Sequence, residues 1–141
     1  YGFVLLGIVG VSFTPEFRTY YPIYELAHRS VADLAAWWLV YAIQLFSVEF
    51  FFRGYLLRAL RGSLGSAGVF VSMIPYVMVH FGKPLTETIG AIFAGVILGT
   101  LAMRTRSIWL GVALHVSIAW SMDLMALFQK QQIPSSWLPT N

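Results

Sequence analysis

Glu49 and Arg53 stand four residues apart inside an apolar run, SVEFFFRGYLL, at residues 47–57. At i and i+4 they share one face of a helix, with the acid on the N-terminal side, the better order for an ion pair. A single charge at the centre of a membrane helix costs about 2.5–3.5 kcal/mol on insertion scales. Pairing lowers that cost, but two apolar residues would serve stability better. The pair is therefore either packing glue or part of a site. Two histidines join it: His80 ends PYVMVHF and His115 lies in LGVALHVSIAW. A carboxylate and an imidazole together activate water, one taking its proton while the other orients it or holds a metal. A second imidazole can donate to a developing oxyanion. Peptide hydrolysis needs these parts, and a proton relay in a transporter uses the same residue types.

Such residues need helices to carry them. The chain of 141 residues is 58% apolar and only 11% charged, with a mean hydropathy of +0.73. Soluble domains lie nearer half apolar and a quarter charged. The composition predicts an all-α, multi-pass transmembrane helix bundle, forming a single membrane domain over 1–141. A crossing takes roughly 17–25 apolar residues, and about five membrane segments are expected: 1–13, 34–57, 67–81, 88–103 and 107–128. The first is too short alone; with Tyr1 rather than Met at its start, it reads as the end of a truncated helix. Trp37, Trp38 and Tyr41 suggest an aromatic anchor at an interface, and Pro75 predicts a kink. Segment 14–33 reads as an aqueous or interfacial loop, and the tail from Lys130 as its polar counterpart. With no Cys, disulfides and thiolate metal sites are excluded. The net charge of +3 is scattered, which argues against nucleic acid and for loops facing anionic membrane lipid.

The connections 58–66 and 104–106 carry only basic charge, and its density places that side in the cytoplasm. Ala91, Gly95 and Gly99 form a small-residue ridge that lets another helix approach closely, inside the bundle or at a dimer contact. Helix rise puts Glu49 about 13 Å in from Arg58, His115 about 12 Å in from Ser107, and His80 about 20 Å in from Ala67. The first two are level. For His80 a mismatch of roughly 7 Å must be absorbed by a tilt, a later helix start or the Pro75 kink.

The order of these motifs resembles the CAAX protease and bacteriocin-processing (Abi, or type II CAAX prenyl endopeptidase) family, multi-pass proteins with three motifs on consecutive core helices. The family's Glu-Glu-x-x-x-Arg is similar to VEFFFRG, where Glu49 and Arg53 match the second Glu and the Arg. Its Phe-x-x-x-His is similar to YVMVH, with Tyr76 and His80. Its His-x-x-x-Asn or Asp is similar to HVSIA, with His115 and then Ala119. The stretch RTRSIWLGVALH also looks like the family, and the motif core covers about 44–128. The resemblance implies an intramembrane endopeptidase of the prokaryotic cytoplasmic membrane, acting on a peptide or lipidated protein. Glu49 with His80 would activate water, Arg53 would hold Glu49 ionised, and His115 would stabilise the oxyanion.

The cofactor stays open between a divalent metal such as zinc, with His80, His115 and Glu49 as candidate ligands, and none. No compact His-Glu-x-x-His motif is present. Two family positions differ here: the usual base is Val48, and the oxyanion support is Ala119. Glu49 itself is the first substitute. Asp123 is another, two turns beyond His115 and about 80° around the helix, though it also reads as a hydrogen-bond partner for a neighbouring helix. Glu87 is a third, although an acid at a helix start suits the dipole and Lys83 is its i, i+4 partner. The runner-up function is a non-catalytic family member that binds a membrane peptide or partner. A small proton-coupled carrier ranks last, because no internal repeat is visible.

Overall fold

Ser30 opens the longest helical run. Its hydroxyl accepts the Asp33 amide at 3.0 Å, satisfying one of the free N–H groups of a helix start. Thr14 does the same for the Phe17 amide, with Pro15 at the first helical position. The computed structural model describes residues 2–139, and the side chain of Phe3 is not described. The beginning of the first expected segment, Tyr1, and the end of the tail, Thr140 and Asn141, lie outside the described residues.

The chain is all-α. Helices are α1 (Gly2–Ser12), α2 (Pro15–Tyr20), α3 (Val31–Glu49), α4 (Leu57–Leu64), α5 (Gly68–Met78), α6 (Leu85–Thr105) and α7 (Trp109–Gln129). A π-helical segment, Phe50–Leu56, links α3 to α4, and there is no strand among the described residues. Three helical stretches are long and apolar enough to cross a membrane: Val31–Met78, Leu85–Thr105 and Trp109–Gln129. The first has 48 residues, about 72 Å of helix if straight and too long for one crossing. It holds the expected segment 34–57 and all but the last three residues of 67–81. Gly65, at φ 55°, makes the turn between them, and α5 packs back on α4 and the π segment.

Two local expectations change. Residues 58–64 are helical, so Arg58 and Arg61 sit on α4 rather than in a loop. Segment 14–33 contains α2 and a short 3₁₀ turn, Glu25–His28.

Contacts divide the chain into two compact units. One takes the residues up to Gln44 together with those from Leu114 onward; the other is Leu45–Ala113. In the first, Ile8, Phe17, Tyr21, Met122 and Ala126 form a core. In the second, α5 and α6 make the largest helix pair. There the ridge Ala91, Gly95 and Gly99 is buried. A Cβ added at Gly95 would stand 2.6 Å from Met73 Cγ, and one at Gly99 would stand 3.0 Å from Val69 Cγ1. The small residues thus let α5 and α6 meet closely inside this unit.

Candidate active site

Glu49 is the last residue of α3, and Arg53 lies in the π segment that follows. The π ladder closes each turn on the fifth residue rather than the fourth, a local widening common at functional sites. Arg53 Nη1 stands 3.2 Å from Glu49 Oε1, with side-chain exposures of 3% and 0%. The contact is ionic without hydrogen-bond alignment. The guanidinium carbon also stands over the Tyr76 ring, 3.8 Å from its centroid, within cation–π range. On the other side of the acid, the α7 backbone comes close. A Cβ at Gly111 would be 3.1 Å from Glu49 Oε2, so this approach depends on residue 111 having no side chain.

His80 follows from the same packing. Pro75 lacks an N–H and removes one helical bond. Helix α5 ends three residues later at Met78, so His80 falls in the turn beyond it. Its ring is buried, with Nδ1 2.9 Å from the Tyr76 carbonyl oxygen and the ring centroid 4.8 Å from that of Tyr76. Thr88 Oγ1, on α6, donates to the His80 carbonyl at 2.9 Å. A series of contacts therefore runs from Glu49 through Arg53 and Tyr76 to His80, all inside the Leu45–Ala113 unit. Val48 packs beside it, against the cluster of Phe52, Tyr76 and Ala91.

Glu87 belongs to the same unit and pairs with Lys83 at 2.7 Å. Thr88, its neighbour, also reaches the His80 backbone, and its hydroxyl carried no distinguishing sequence signal. His115, Ala119 and Asp123 belong to the other unit. His115 is half-buried on α7, and Ala119 is buried. Asp123 is fully buried and accepts a hydrogen bond from Trp37 Nε1 at 2.8 Å. Trp38 and Trp120 stack beside it, with centroids 5.0 Å apart. Outside the spans, Arg29 holds its proton above the ordinary guanidinium range, chiefly through its hydrogen bond to Asp33. Within each unit, no three His, Asp or Glu side chains among the described residues gather to hold a metal ion.

A buried carboxylate, an arginine in ionic contact with it, and an imidazole one ring away are the parts of a water-activating site. The family model described as type II CAAX prenyl endopeptidase Rce1-like matches residues 30–121, well over half the chain. The chain belongs to that family. Searches of curated proteins and of solved structures gave no match. This Rce1-like protein is thus a member of a family of CAAX-type intramembrane proteases. With three stretches able to cross a membrane, it is an integral membrane protein. The matched residues include Glu49, Arg53, His80 and His115.

Proposed function

We propose that the protein is an endopeptidase of the prokaryotic cytoplasmic membrane that hydrolyses a peptide bond in a prenylated protein substrate. The observation that carries this reading is the buried Glu49–Arg53 pair, linked through Tyr76 to His80 within a family of CAAX-type proteases. Glu49 takes a proton from water as the water oxygen attacks the scissile carbonyl carbon. His80 orients that water. The carbonyl oxygen becomes an oxyanion, a charge that a hydrogen-bond donor stabilises. The carbon–nitrogen bond then breaks, and the proton held by Glu49 passes to the leaving amine. Arg53 positions the Glu49 carboxylate through their ionic contact.

The test is cleavage of an S-farnesyl peptide ending in a Cys-aliphatic-aliphatic-Ser box, followed by mass spectrometry. We expect wild type to cut it and Glu49→Gln, folded by its melting curve, to lose at least about 100-fold in rate, the scale of general base catalysis. A second reading, a non-catalytic member that binds a membrane peptide, is favoured by Val48, which stands where the family has its usual base and packs against the cluster of Phe52, Tyr76 and Ala91. If wild type is inert and Val48→Glu gains activity, that reading replaces the first.

A further inference from the structure

Inside the Leu45–Ala113 unit a pocket of about 320 Å³ opens beside Arg53, the partner of Glu49. Arg53 forms its buried inner end, and Arg58, Arg61 and Arg106 line its exposed part, with Leu57 and Met103 as apolar wall. The charge is one-sided. This unit holds six basic residues and only two acids, Glu49 and Glu87. Each acid already has a cation, Arg53 and Lys83 respectively. No salt bridge reaches Arg58, Arg61 or Arg106 among the described residues. Arg58 donates to the Arg106 carbonyl at 3.3 Å, which ties the end of α6 to α4. Arg106 also has φ 55°, a left-handed backbone that glycine adopts more readily. A guanidinium is held there against the conformational preference of its own backbone.

We propose that this pocket binds the free C-terminal carboxylate of the substrate, which deepens the proteolytic reading above and rests on it. Spacing supports this. Arg58 and Arg61 follow Arg53 by five and eight residues, about 7 and 12 Å along a helix. An endopeptidase acting inside a Cys-aliphatic-aliphatic-X terminus cuts within three residues of the carboxylate. Three extended residues span about 10 Å. A substrate whose scissile bond lies at Glu49 thus carries its terminal charge to the arginines, and Leu57 and Met103 offer its last side chain an apolar surface. Guanidinium forks suit a carboxylate through paired hydrogen bonds.

The experiment compares an S-farnesyl peptide as the free acid and as the C-terminal amide. Binding to the full chain is measured in phosphatidylcholine nanodiscs, and cleavage is followed in the same samples. Wild type should bind the acid about tenfold tighter than the amide, the scale of one charge-assisted hydrogen bond. The ratio should fall towards one in Arg61→Gln and in Arg106→Gly, and Arg61→Lys should keep part of it. Arg106→Gly suits the φ of that position, so loss of folding does not explain its result. Equal binding of acid and amide by wild type overturns the proposal, as does a ratio that survives both substitutions. The proposal also falls if phosphatidylglycerol abolishes the acid preference and raises the melting temperature of wild type but not of Arg61→Gln, because the pocket then belongs to a lipid phosphate. Acid preference without cleavage rejects the proteolytic reading and leaves carboxylate recognition standing. Cleavage of both forms alike does the reverse.

Discussion

At the scale of single residues, Glu49 and Arg53 depend on each other more than on any catalytic duty. Truncating Arg53 leaves a carboxylate buried and unpaired, a loss of about 3–5 kcal/mol for a dry pair. His115 is only half-buried. Arg53→Ala should therefore lower thermal stability in detergent well below that of His115→Ala. Equal losses would make both residues structural. The pair itself was legible in the sequence, because spacing alone fixes which side chains share a helix face. Tyr76 as the ring between Arg53 and His80 was not. Motif alignment singled it out, but its stacking partners are set by how α5 folds back after Gly65. Asp123 was legible as an expensive acid needing a partner, yet nothing in the local sequence singled out Trp37, 86 residues away, as that partner.

Among the elements, the helix cores were predictable from apolar length, and the departures have local causes. The π segment is a change of ladder inside a continuous apolar run, so hydropathy does not register it. Helix α4 carries charge that resembles a loop, but its last turn closes at Gly65, whose positive φ ends it. The ridge on α6 yields a contrast between two identical substitutions. A methyl placed on Gly95 would stand 2.6 Å from Met73 Cγ, whereas one placed on Gly90 would meet nothing within 4 Å. Gly95→Ala should cost about 1–3 kcal/mol through overpacking. Gly90→Ala should gain up to about 1 kcal/mol from helix propensity. Paired melting curves in one detergent read both, and equal shifts would remove α5 as the partner of the ridge.

Across the whole molecule, large apolar side chains stay exposed on most spans, including Leu39 and Ile43 on α3, Phe70 and Ile74 on α5, and Phe93 and Ile97 on α6. Water does not tolerate so much apolar surface, and lipid does. The polar side chains Glu49, Arg53, His80 and Asp123 are instead buried. The protein should stay with the membrane pellet after alkaline carbonate washing and enter solution only with detergent; release by carbonate alone would reject membrane spanning. The indoles follow an uneven division. Trp37, Trp38, Trp120 and Trp137 belong to the unit that contains Asp123, and Trp109 alone to the unit that contains Glu49. Replacing Trp109 by Phe would leave tryptophan fluorescence, excited selectively, arising from one unit only, and the stacked Trp38–Trp120 pair would give that unit a circular-dichroism signature of its own. Optical spectroscopy could then follow that unit without any attached dye.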